Sequence, residues 1–158
     1  AKVLQYSDTA LATMVRDVPV FATILAVSQI YENQAIEQIT LGKNEVIGHF
    51  QRPSALNGRD NVYGLYIQGG SMSPRFEHGE SAFVERDKPA RIGDEVVIYM
   101  RRPEADDEGT SSVMIKRLVR LTADYIELQQ FTPAVTFKVE RSRVLRIDRV
   151  IPWAELLA

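Results

Sequence analysis

From Val62 onward the chain takes on a period of two, and this constrains its fold more than any other feature. "VYGLYIQ", "SAFVER", "DEVVIYM", "SVMIKRLVRL", "DYIELQQ", "VTFKVE" and "RVLRIDRVI" are short runs rich in Val, Ile, Tyr and Phe. Gly, Pro, Asp or Ser turns separate them, as expected of strands that place alternate side chains on opposite faces. The pattern predicts a mostly β domain of antiparallel strands. Between "IYM" and "SVMIK", the polar stretch "RRPEADDEGTSS" has the composition of a long exposed hairpin loop.

The first third is less regular. "YSDTALATMVRD" offers Ser7 or Asp8 as a helix cap, with Leu11, Met14 and Val15 at helical spacing before Pro19. Residues 1–17 are therefore expected to form a short helix or an interdomain linker, and residues 18–158 the folded domain. "VPVFATILAV", residues 18–27, fits a buried β segment, whereas Ala35, Ile36 and Ile39 in "ENQAIEQITLG" recur at helical intervals before Gly42. A length of 158 residues suits one domain with its own core.

Composition narrows the chemistry. There is no cysteine, which excludes disulfides, thiol nucleophiles and cysteine metal sites. The longest apolar stretch is shorter than the roughly 18 to 20 residues that span a bilayer, so a soluble, cytoplasmic protein is expected, without a membrane partner. A net charge of -2 provides no basic footprint for nucleic acid.

"GGSMSPRFEHGE", residues 69–80, places Ser71 after two glycines and before Pro74, which would fix the following turn. A serine hydroxyl is a weak nucleophile until a base takes its proton. The two histidines, His49 and His78, have no Asp at a spacing that suggests a triad, and no metal or other cofactor is indicated. Lysine is the alternative base. In "VMIKRLV", strand alternation puts Lys116 on the face of Met114 and Leu118, where desolvation favours the neutral amine; a lysine snorkelling from a sheet edge would show the same pattern. Gly69 and Gly70 allow close backbone approach, and the Gly70 and Ser71 amides are candidates for an oxyanion hole.

In order, "GGSMSP", "GESAFVER", "RIGDEVVIY" and "IKRLVR" resemble the self-cleaving repressor family of LexA, phage repressors and UmuD. The resemblance covers roughly residues 18–154, and "VLRIDRVIPWAELL" is similar to prophage repressor C-termini. It implies a small, highly twisted sheet or partly open barrel, with Ser71 as nucleophile and Lys116 as base. The bond to be cut falls between Ala26 and Val27, where valine replaces the family's usual glycine and crowds the site. The resemblance further implies a homodimer, for which Leu145 and Ile147 on "RVLRIDRV" are the expected contacts. It also implies stimulation by a RecA filament and operator DNA bound through an upstream helix-turn-helix domain. Two other readings stay open: a dimerisation module in which Val27 has impaired catalysis, and a signal-peptidase-like enzyme, whose nucleophile block also reads Ser-Met.

Overall fold

The computed structural model describes residues 15–25, 28–101 and 110–158. Its strands are β1 (Arg16–Leu25), β2 (Gln29–Tyr31), β3 (Gln34–Ile36), β4 (Ile39–Gln51), β5 (Val62–Tyr66), β6 (Ser81–Glu85), β7 (Glu95–Met100), β8 (Thr110–Leu121), β9 (Tyr125–Phe131), β10 (Ala134–Glu140) and β11 (Val144–Val150). One short helix, α1 (Trp153–Leu156), follows. Each alternating run after Val62 is a strand, as its period predicts.

The strands lie in the order β10-β9-β8-β4-β1-β5-β6-β11-β7, and β7 also pairs with β8. That last pairing closes β8, β4, β1, β5, β6, β11 and β7 into a seven-stranded barrel, which leaves the β9–β10 hairpin as a flap extending from β8. The barrel is antiparallel except at β1 and β5, where Val20 and Phe21 run parallel to Gly64 and Leu65. A separate hairpin, β2–β3, lies against the flap, with the Tyr31 ring 5.7 Å from that of Phe137.

Strand alternation sorts the side chains into two cores. Phe21, Leu41, Leu65, Val84, Val97, Ile115 and Val150, one from each barrel strand, belong to the cluster that fills the barrel. Val96, Ile98, Met114, Leu118, Leu128, Phe137 and Ile36 form a second cluster beneath the flap and hairpin. The continuous apolar run of β7 follows from this arrangement, because both of its faces are covered. A smaller cluster of Val18, Leu56, Val62 and Ile151 packs near α1, which is latched by Glu155. That carboxylate accepts bonds from Arg149 at 2.7 and 2.9 Å and from Arg59 at 3.1 Å.

Two expectations meet different outcomes. The helical spacing around Ala35, Ile36 and Ile39 gives no helix; these residues fall in β3 and β4. Glu32 and Asn33, both at positive φ (48° and 65°), make a two-residue turn, and the hairpin buries Tyr31 and Ile36 on the second core. Of the expected linker or helix over 1–17, residues 1–14 lie outside the described residues, and β1 begins at Arg16. Most of the polar loop before β8 likewise lies outside them.

Candidate active site

The serine sits on an excursion between β5 and β6. Its base is pinched by two backbone bonds, Ile67 N–H to Glu80 O (2.8 Å) and Gly79 N–H to Ile67 O (2.7 Å). Gly69, at φ +80°, turns the chain where a side chain would be strained, and its N–H donates to Nδ1 of His78 at 2.9 Å. Beyond it, Ser73 N–H closes onto Gly70 O and Phe76 N–H onto Met72 O, while the Met72 and Phe76 side chains anchor the turn in the barrel core. The Ser71 carbonyl accepts two amides from the end of the flap, Phe131 at 3.0 Å and Thr132 at 2.9 Å. Arg75, on the same excursion, pairs at 3.0 Å with Glu95 of β7, which also accepts from Arg117 of β8 at 2.9 Å. The nucleophile turn is thereby tied to the strand that carries the lysine.

Lys116 lies on β8 opposite Val96 and is 1% exposed. It shares the face of Met114 and Leu118, as alternation predicts, and is buried rather than snorkelling at an edge. Its Nζ is 3.0 Å from Ser71 Oγ, and Ser71 is 9% exposed. As an ammonium Nζ donates in this bond; as a neutral amine it accepts from the serine O–H. Burial pulls the Lys116 pKa from its ordinary 10.5 down to about 8, against the opposing field of Glu37. At pH 7 about one chain in ten then carries the neutral amine. The cavity around the pair, lined in part by Glu37, Ile39, Gln68 and Met72, is about 10 Å³, at the lower limit for a single water.

Among the described residues, the Gly70 and Ser71 amides donate to no other group. The end of β1 is fastened to the start of the nucleophile turn. Thr23 Oγ1 donates to Tyr66 O at 2.8 Å, and Gln68 Nε2 donates to Thr23 O at 3.1 Å. Leu25 then lies opposite Ile39, which lines the cavity. Ala26 and Val27 themselves lie outside the described residues. His49 is exposed on β4 opposite Pro19 and is not part of this cluster. The residues that sequence reasoning missed are Glu37, which lines the cavity, and Phe131, Thr132 and Glu95, which hold the turn; His78, weighed there only as a base or ligand, instead accepts from the Gly69 amide.

Between β6 and β7 in the barrel, β11 pairs with β7 from Val144 to Arg149 but with β6 only at Arg149 and Val150. Among the described residues its first half therefore has one edge without a partner strand. Leu145 is 49% exposed there, while Ile147 packs partly against the second core.

A profile of the Peptidase S24-like family matches residues 19–139. Repressor protein C of Rhizobium phage 16-3 is 35% identical over 106 residues, which cover 67% of this chain and 40% of that protein. The chain thus spans less than half the length of this relative. Since the profile match covers most of its length and includes both the serine turn and the lysine strand, the chain belongs to the Peptidase S24-like family, the LexA-like and phage-repressor group that its sequence blocks resemble.

Proposed function

We propose that this chain is the C-terminal autoproteolytic and dimerisation domain of a LexA-like or prophage-type transcriptional repressor, and that it cuts its own backbone between Ala26 and Val27. The observation that carries the reading is the 3.0 Å contact between Ser71 Oγ and the buried amine of Lys116. Neutral Lys116 takes the Ser71 proton as Oγ bonds to the Ala26 carbonyl carbon, and the Gly70 and Ser71 amides receive the resulting oxyanion. On collapse the C–N bond breaks, and the lysine returns its proton to the Val27 nitrogen. Water then releases the acyl-serine, with the same lysine as base. The placement of Leu25 beside Ile39 supports the reading, since the proposed bond follows one residue later.

Dimerisation through the open edge of β11, with Leu145 at the contact, would bring two upstream operator-binding domains together, and a pair of linked half-site readers binds far more tightly than one. A RecA filament, acting in the cytoplasm, would promote the cut by favouring the arrangement that places residues 26–27 at Ser71. The second reading keeps the fold and the dimer but not the cut. It rests on Val27, whose branched side chain restricts the backbone where glycine would not.

The test is the intact mass of the chain after incubation at neutral and alkaline pH, beside Ser71→Ala and Lys116→Ala. Fragments ending at Ala26, formed faster at alkaline pH and only by the native chain, are the expected result. If the native chain stays whole even with a RecA filament present, the dimerisation module is the correct reading.

A further inference from the structure

Glu37, in the connection between β3 and β4, touches the site twice. Its carbonyl oxygen lies 3.4 Å from Lys116 Nζ. Its side chain lies over Gly69, so that a Cβ at that position would overlap Oε1. That oxygen is buried and has no hydrogen-bond partner among the described residues. A carboxylate oxygen without a donor is costly, and its position here needs a reason. The other groups around the amine are uncharged: Ser71 and Gln68 on the nucleophile turn, Ile39 on β4 and Val96 on β7. The nearby Arg75 and Arg117 both pair with Glu95, and His78 is engaged with the Gly69 amide. The Glu37 carboxylate is therefore the one charge near Lys116 that lacks a partner of its own among the described residues.

We propose that Glu37 is the rate-setting residue of the Ser71–Lys116 pair, holding Lys116 as an ammonium and placing a negative charge over Gly69, at the start of the turn whose Gly70 and Ser71 amides are to receive the oxyanion, so that the uncut chain is latent. Both effects oppose the reaction. The first withholds the base, and the second disfavours the oxyanion where it must form. For the cut to proceed, the β3–β4 connection has to carry this carboxylate away from Gly69. The catalytic consequence rests on the self-cleavage reading, whereas the hold on Lys116 rests on where Glu37 sits, beside the amine and over Gly69, and does not need the cut.

The experiment compares the whole chain with Glu37→Gln, which keeps the shape and removes the charge, and with Glu37→Asp, which draws the charge back. Two quantities are read against pH. One is the titration midpoint of Lys116 by NMR of ¹³C-labelled lysine, its signal assigned by its loss in Lys116→Ala; the other is the first-order rate of self-cleavage by intact mass. In Glu37→Gln the midpoint falls by about one unit, and the cut at neutral pH is about tenfold faster. The two rate profiles draw together at alkaline pH, where the native lysine is already neutral, leaving only the smaller excess that the oxyanion effect sustains, and Glu37→Asp lies between. An unchanged midpoint in Glu37→Gln overturns the proposal, even if the rate rises equally at every pH. A lowered midpoint with no cut in any chain, even with a RecA filament present, upholds the hold on Lys116 and sinks the self-cleavage reading instead.

Discussion

Gly69 donates its backbone N–H to Nδ1 of His78 at 2.9 Å, which links the two ends of the nucleophile turn. The imidazole sits in the exposed part of the turn, so removing it should cost the fold little. His78→Ala should lower the cleavage rate about tenfold while changing stability by less than about 1 kcal/mol. His78→Asn, which offers a shorter acceptor, should recover part of the rate. Parallel rate and denaturant measurements decide this, and an unchanged rate in His78→Ala would remove the histidine from any positioning role.

Burying Lys116 opposes folding, and the sign of its pH dependence follows. Its folded pKa of about 8 lies below the ordinary 10.5, so between these values the unfolded chain binds more protons and stability rises with pH. Lys116→Met fills the same volume without a charge to desolvate, and should be more stable than the native chain at neutral pH by a few kcal/mol. The difference should shrink as pH climbs from about 8 to 10.5. Urea unfolding of both chains across that range measures it; a constant gap would mean that the amine is not desolvated.

The latch on α1 also gains stability as pH rises, but in the acid window. Hydrogen bonds from Arg149, reinforced by Arg59 and the nearby Lys88, hold Glu155 down to about 2 from its ordinary 4.5. Its stabilisation is fully present above about 4.5 and is lost as pH falls toward 2. The side chain is 28% exposed, so Glu155→Gln should cost only about 1 kcal/mol at neutral pH, and its acid limb should be flatter than that of the native chain. Denaturant unfolding between neutral and acid pH gives both slopes.

Leu145→Arg tests the open edge of β11. Half-exposed Leu145 tolerates a long polar side chain in the monomer, whereas two arginines facing each other across a symmetric contact repel. Sedimentation should find the native chain dimeric and the variant monomeric, with the melting temperature at low concentration nearly equal. A variant that remains a dimer would place the interface elsewhere.

The alternating runs made seven strands readable in advance, and alternation put Lys116 on the apolar face of Met114 and Leu118 without deciding between burial and snorkelling, because strand period is a local property. The β2–β3 hairpin was hidden for the same reason. Apolar residues at 35, 36 and 39 suit a helix as well as a hairpin, and the choice is made by the packing of Tyr31 and Ile36 onto Phe137, about a hundred residues later in the chain. Glu37 meets Lys116 across 79 positions, and Phe131 and Thr132 reach back to Ser71 across sixty or so. No spacing rule links such residues. Barrel closure was equally obscure, since the parallel pairing of β1 with β5 depends on the path of the whole chain.

That central place of β1 bears on what a cut would release. From Arg16 to Leu25 the strand is hydrogen-bonded to β4 on one side, and at Val20 and Phe21 to β5 on the other. Hydrolysis after Ala26 would sever the covalent link but leave this stave of the barrel in place, with Val18 and Phe21 still packed in their clusters. Nicking and dissociation would be separate events, the second governed by how fast a central strand can slip out. The two pieces should then elute together from a sizing column under native conditions and part only in denaturant, so that loss of the upstream half would run on an unfolding clock rather than a chemical one.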